Sequence, residues 1–369
     1  MSNRLPIARA LALAVLACAT GVAAGAVDAP AAHNARQATT APELTLQPYP
    51  ARVYKAPDRS HENTVSWIFS LMVQSPVPLT LTPESMQIDL VGKDGVLRHM
   101  TYAKDGFASL TYKTALPPKM PDGTAPVRDL YWPLAIRLRA IEPAALPVVA
   151  MRISIKASDE RGRMLTASRL VPIESYTQKT HLLFPFRGKG IILQAGAMNG
   201  GHRNRSGEYA FDGTGLDDAW SPVKPGDGKN NSDYPGFGRD IIAPADGRVV
   251  RARKDRPDQP VGDESNPEYY AAEYKRGGDP GNFVVIDHGN GEFSMIAHFE
   301  SGSLKVDVGD KVTRAQVLGK LGHSGDTDSP HVHYQLQSGP DWEYSDALPC
   351  QFDNIDQKVL DRGSYFEAK

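Results

Sequence analysis

The sequence predicts an all-β chain: an N-terminal β-sandwich of the immunoglobulin-like (Ig-like) kind, then a C-terminal antiparallel β-sheet domain with an open groove. Three observations carry this. Val65, Trp67, Phe69, Leu71 and Val73 alternate with secondary positions, as do Met151, Ile153, Ile155 and Ala157, which is the two-residue period of a strand half-buried against a core. Turn signals recur between apolar runs at Gly92-Lys93-Asp94-Gly95, Lys104-Asp105-Gly106 and Asp159-Glu160-Arg161-Gly162. Nearer the C-terminus, Ser329-Pro330-His331-Val332-His333-Tyr334-Gln335-Leu336-Gln337 reads as an extended strand. Its alternation sends His331 and His333 to one face and Val332, Tyr334 and Leu336 to a core.

The chain has 369 residues, 41% of them hydrophobic, enough for one or two domains with cores of their own. Its 41 Lys+Arg against 43 Asp+Glu, with no basic stripe, leave nucleic-acid binding without electrostatic support. Residues 1–26 have Arg4 and Arg9, the apolar stretch Ala10 to Ala17 and a small-residue site at Ala24-Gly25-Ala26, the pattern of an export signal peptide. The expected location is therefore periplasmic or secreted. Val15-Leu16-Ala17-Cys18 loosely resembles a lipobox, so membrane association is expected only if Cys18 is lipidated. Cleavage after Ala26 would leave Cys350 as the one cysteine, which excludes an intrachain disulfide and suits a small buried apolar residue.

Residues 27–43, rich in Ala, Thr and Pro without periodicity, read as a flexible spacer. The β-sandwich spans 44–180 and shows no catalytic cluster, with His61 and His99 as isolated surface or turn histidines. The second domain spans 181–355, leaving 356–369 as a C-terminal tail. Its expected strands are Gly247 to Arg253, Phe283 to Asp287, Glu292 to His298 and Val306 to Leu321, followed by the His-bearing strand. His288-Gly289-Asn290-Gly291 is a tight turn, since Asn-Gly accepts positive φ. Polar inserts at about 213–236 and 255–280 are expected as loops on the groove rim.

Two histidines on one strand face point to a metal or acid-base site, because imidazoles are costly to bury without partners. His298 ends a strand on which Ser294, Ile296 and His298 are expected to share a face, which would bring it to the same groove. His202 lies in Gly200-Gly201-His202-Arg203, and Asp212 ends Tyr209-Ala210-Phe211-Asp212. A loop imidazole and a carboxylate would complete a mixed nitrogen and oxygen site of the kind catalytic zinc takes. Alternatively, His202 is a solvated loop residue and Asp212 a turn or capping acid. His323 reads as a turn residue, with a rim contact to substrate as the sharper alternative. Gln335 and Gln337 continue the register of His331 and His333, and they either orient a ligand or face solvent.

The runs Gly281-Asn282-Phe283-Val284-Val285-Ile286-Asp287-His288-Gly289-Asn290-Gly291, Ala297-His298, Val308-Gly309-Asp310-Lys311-Val312, Gly322-His323-Ser324-Gly325 and Ser329-Pro330-His331-Val332-His333 together resemble the lysostaphin/LytM-type zinc metallopeptidases. That family cuts peptide cross-links in bacterial peptidoglycan. The resemblance covers residues 184–352. It implies one Zn2+ per chain held by His202, Asp212 and His333, with His298 and His331 flanking the water as acid-base and oxyanion-stabilising groups. It also implies a hydrolase acting on a peptidoglycan peptide, with no covalent enzyme intermediate; a monomer is the expected state. Spacing alone leaves open whether both His331 and His333 bind one ion.

The chain departs from the common pattern in two places. His202 and Asp212 stand ten residues apart, where the family usually has His-x-x-x-Asp, and Asp240 in Gly238-Arg239-Asp240 is a competitor for the carboxylate ligand. Ala315 stands where the family usually carries Gly. Two other functions compete with hydrolysis. A catalytically inactive relative would bind the wall or activate a cell-wall amidase, which the retention of all the candidate residues argues against. A biotinyl or lipoyl-type carrier would need an exposed lysine at a hairpin tip between Ala245-Asp246-Gly247-Arg248-Val249-Val250 and Val308-Gly309-Asp310-Lys311-Val312, where a long insert and His298 stand instead.

Overall fold

The computed structural model describes residues 43–57, 63–112, 131–195, 202, 207–262, 279–342, 344–356 and 360–369. The expected signal peptide, nearly all of the spacer, Cys18 and His61 lie outside them. Within them the chain is all-β, built on two nine-stranded sheets.

The first sheet contains β1 (Thr45–Tyr49), β2 (Val53–Pro57), β3 (Thr64–Ser75), β4 (Leu81–Gly92), β5 (Gly95–Tyr102), β6 (Thr111–Tyr112), β7 (Tyr131–Pro143), β8 (Ala150–Asp159) and β9 (Met164–Ser175). Its order is β5-β4-β8-β9-β2-β3-β7-β6, with β1 added to β3. The alternating residues decide which side is inside: Trp67, Phe69, Leu71 and Val73 of β3 meet Met86, Ile88 and Leu90 of β4 and Met151, Ile153 and Ile155 of β8 in one core. Burying these large side chains is worth about 1.5–3 kcal/mol each. The two halves of the sheet are joined by a short parallel pairing, Val53↔Ile173 to Lys55↔Ser175. A short helix, α1 (Lys104–Ser109), plugs the core with the fully buried Phe107. His99 is exposed and paired with Asp89, the surface role expected of it.

The second sheet holds β10 (Gly188–Ala195), β11 (Phe211–Gly215), β13 (Gly247–Arg253), β14 (Asn282–Asp287), β15 (Phe293–Phe299), β16 (Lys311–Val312), β18 (Val332–Gln337), β19 (Ala347–Leu348) and β20 (Tyr365–Ala368). Its order is β16-β13-β14-β15-β18-β11-β10-β20, with β19 on β18, while β12 (Asp240–Ile242) and β17 (Val317–Lys320) form a separate pair. One face carries the core, where Val332, Tyr334 and Leu336 of β18 pack with Ile296, Val284, Ile286 and Phe211. Cys350 belongs to this core and is buried, as expected. Between β14 and β15, Gly289, Asn290 and Gly291 all take positive φ, of 79°, 56° and 76°, as the turn chemistry demands.

Among the described residues of the C-terminal tail, β20 pairs with β10, and Leu360, Phe366 and Ala368 enter the core. Their apolar alternation is short, and pairing with β10 is what gives it a partner. The stretch Val306 to Leu321 is not one strand but two, β16 and β17, because Gly309 and Ala315 take φ of 99° and 69° and turn the chain twice. The second turn explains why glycine would suit position 315, since a left-handed backbone crowds any Cβ.

Candidate metal centre

On β18 the alternation holds as read from the sequence. His331, His333, Gln335 and Gln337 lie opposite the core residues Val332, Tyr334 and Leu336. β18 is flanked by β11 and β15, and in register Asp212 stands directly across from His333, and Ala297 across from it on the other side. Strand pairing thus sets carboxylate and imidazole side by side, since directly opposed residues share a face. His333 Nδ1 lies 3.0 Å from Asp212 Oδ1, and His202 Nε2 lies 3.3 Å from Asp212 Oδ2. One donor atom from each of His202, Asp212 and His333 falls within 4.8 Å of the other two.

The sequence expected His298 to share a face with Ser294 and Ile296. It does not: Ser294 and Ile296 pair with Leu336 and Tyr334 on the core side, whereas Met295 and Ala297 line the trough with His333. By strict alternation His298 would point into the core. The pairing of β15 with β14 skips a residue here, Asn282 facing Phe299 and Phe283 facing Ala297, so His298 is the extra residue of a β-bulge. Its φ of 66° turns the side chain back to the trough, where its ring centroid stands 4.8 Å from that of His331. His298 thus lies beside His331 in the trough, and the geometric reason is the bulge.

The remaining contacts fix ring orientations. His298 Nδ1 meets the Ser324 carbonyl at 2.8 Å, so this nitrogen carries the proton and Nε2 keeps its lone pair. Gly281 allows that carbonyl to approach: its φ is 62°, and a Cβ there would stand 2.1 Å from the Ser324 oxygen. His331 Nδ1 donates to the Ser329 carbonyl at 2.8 Å and lies 2.9 Å from the Thr327 hydroxyl, which itself donates to Ser329. Its Nε2 faces Asp212 Oδ1 at 3.6 Å. Thr327 gave no sequence signal, because its part depends on a turn whose shape the sequence does not reveal.

Gln335 and Gln337 do not face solvent; both are buried. The Gly339 carbonyl can only accept, so Gln337 Nε2 donates to it, Gln337 Oε1 accepts from Gln335 Nε2, and Gln335 Oε1 accepts from His333 Nε2 at 2.8 Å. The amide chain therefore places the His333 proton on Nε2. The Nδ1 lone pair is left facing a carboxylate oxygen 3.0 Å away, two acceptors that need a cation or a proton between them. Ligands about 2.0–2.1 Å from a tetrahedral zinc stand roughly 3.3 Å apart, close to both Asp212 separations. The donor set of two imidazoles and a carboxylate fits the ion.

At Asp212 and His333 the electrostatics agree with that fit. Burial alone would push the Asp212 carboxyl up, but His202 and His331 beside it hold it well below the usual carboxylate range. Burial and the neighbouring His202 lower His333 and favour its neutral form. Burial, followed by His331 and His333, holds His298 well below the ordinary histidine value. Burial works against a charge on His202 as well, yet the Asp212 carboxylate outweighs it and raises that histidine. Neutral imidazoles and an ionised carboxylate are the forms that ligate metal, so an ion would take the place of the proton that Asp212 favours on His202.

These groups line an open trough of about 510 Å³, continued by Gln194, Met295 and Trp342. Asp240 is elsewhere, exposed on β12 with Lys320 at 3.4 Å. His323 is fully buried rather than on the rim, holding Asn231 and the Thr327 carbonyl. His288 is the turn residue expected, tied to the Asp246 carbonyl and to Ser294.

Residues 232–344 match the family model described as Peptidase family M23. The match contains His298, His331 and His333 but begins after His202 and Asp212, which reach the site through β11 and the loop before it. Over 56 residues the chain is 41% identical to the peptidoglycan DD-endopeptidase ShyA of Vibrio cholerae, a stretch covering 15% of this chain and 13% of that relative. Among solved structures, a zinc-containing peptidase from Vibrio cholerae aligns at TM-score 0.27 and 14% identity, over 78% of this chain and 82% of that one. The catalytic domain of the prophage-encoded M23 protein EnpA from Enterococcus faecalis aligns at TM-score 0.26 and 19% identity, over 43% and 88%. The family match and the trough coincide in the second sheet, and the chain accordingly carries a Peptidase family M23 domain.

Proposed function

We propose that the chain is an exported zinc metalloendopeptidase that hydrolyses peptide cross-links of bacterial peptidoglycan. The observation that carries this reading is the convergence of His202, Asp212 and His333 on one point of an open trough, with His298 and His331 beside them. In this reading His202, Asp212 and His333 hold the ion, residues 44–180 form an accessory β domain, and residues 181–355 with the C-terminal strand form the peptidase. Residues 1–26 direct the protein to the periplasm or the exterior, where it acts as a monomer.

A bound zinc supplies Lewis acidity toward the scissile carbonyl and a water of lowered pKa. His298, with its proton fixed on Nδ1, offers Nε2 as the base that takes a proton from the attacking water. The same nitrogen then returns that proton to the departing amine. His331, held at Nδ1 by Ser329 and Thr327, directs Nε2 into the trough, where a proton on it would stabilise the developing oxyanion. Gln335 keeps His333 in the tautomer that leaves Nδ1 free to bind.

The test is digestion of isolated sacculi by the purified full chain, with released muropeptides identified by mass spectrometry and bound zinc by elemental analysis. We expect close to one zinc per chain and cross-linked dimers converted to monomers. Zinc without any change in the muropeptides would overturn the substrate, and absence of zinc would favour the inactive, amidase-activating relative.

A further inference from the structure

His202 and Asp212 stand ten residues apart, and His202 is not on a strand. Asp212 is fixed by its pairing with His333 and Gln194, but such pairing does nothing for the chain leading into it. Ordering chain that no strand pairing fixes costs entropy that some contact must offset. Among the described residues, Glu208 and Tyr209 receive such contacts from the other sheet. On β7, Arg137 donates from Nη1 to Glu208 Oε1 at 2.6 Å and from Nη2 to Oε2 at 2.8 Å. The Glu208 side chain is 1% exposed and that of Arg137 19%, so this is a two-pronged, largely desolvated pair rather than a surface one. Ser70, across from Arg137 on β3, accepts a further bond from Nη1 and keeps the guanidinium aimed. The next residue, Tyr209, donates its hydroxyl to the Tyr54 carbonyl on β2.

We propose that Arg137 is a positioning residue for the metal site: by gripping Glu208, the first sheet holds residues 207–211 in place and so keeps His202 and Asp212 together at His333. The site in the second sheet is then complete only while the first sheet is docked on it. Tyr209 acts in the same direction through an independent bond. The first sheet is thereby a structural part of the metal centre, and displacing it would loosen the ion. This inference rests on the zinc-site reading above.

The experiment measures Zn2+ affinity of the full-length wild type and of Arg137→Met, Arg137→Lys and Tyr209→Phe by competition with a chromophoric chelator. Thermal melts of each metal-free protein select a temperature at which all are folded. We expect Arg137→Met to weaken zinc by about tenfold or more, Arg137→Lys to recover part of the loss, and Tyr209→Phe to weaken it less than Arg137→Met. A purely structural role would lower the melting temperature without moving the affinity of the folded protein. If Arg137→Met does not fold, Tyr209→Phe and Arg137→Lys carry the test. Wild type binding zinc, with the folded variants within twofold of it, overturns this inference alone. Wild type binding no zinc overturns the metal-site reading itself.

Discussion

His331 and His333 share a strand face, yet their surroundings give them different work. His333 has Nε2 committed to Gln335 and presents Nδ1 at 3.0 Å from Asp212, inside the cluster of donor atoms. His331 has Nδ1 committed to Ser329, and its Nε2 stands further from the same carboxylate, at 3.6 Å. His333→Ala should therefore abolish zinc binding and activity together. His331→Ala should keep close to one zinc per chain while lowering kcat by about 10²–10⁴-fold, the usual cost of losing an acid-base or oxyanion group. Metal analysis paired with turnover on sacculi checks both. A His331→Ala protein that loses its zinc would mean that both histidines ligate.

At the scale of the strand, the two-residue period made β18 legible before any coordinates, because one face had to be core and the other could not be. The same rule failed on β15. A bulge adds one residue and inverts the parity, and no residue type between Phe293 and Phe299 announces it; the left-handed φ at His298 is visible only in the fold. The role of Gln335 and Gln337 was likewise undecidable from spacing, since a glutamine facing solvent and one facing an imidazole look alike in sequence. The fold makes them a directional chain ending on the Gly339 carbonyl. Gln335→Leu should leave β18 in place while removing the acceptor that fixes the His333 tautomer. We expect zinc affinity to fall about 10–100-fold with little change in secondary structure by circular dichroism. Unchanged affinity would mean that the tautomer is set by the ion alone.

At the scale of the whole molecule, two charged side chains tie the sheets together where the sequence suggested only a boundary near residue 180. Glu208 is one. Glu292, fully buried at the end of the β14–β15 turn, is the other: it accepts from the Tyr176 hydroxyl, the Lys179 and Thr180 backbone amides and the Thr180 hydroxyl, all on the segment leaving the first sheet. Burial pushes its carboxyl up, but these hydrogen bonds outweigh it and the net shift is downward from the ordinary 4.5. The sign of the linkage follows. A depressed folded-state value means that the unfolded chain takes up the proton first, so this carboxylate's contribution is complete above 4.5 and is lost as pH falls from there through the folded value. Glu292→Ala also strands two backbone amides, and should cost about 3 kcal/mol in urea denaturation at pH 7. Repeating the denaturation at pH 4 and below should show the gap between wild type and variant narrowing, because protonation removes from the wild type what the substitution has already removed. A gap that stays constant down to pH 3 would mean that the clamp does not depend on the charge.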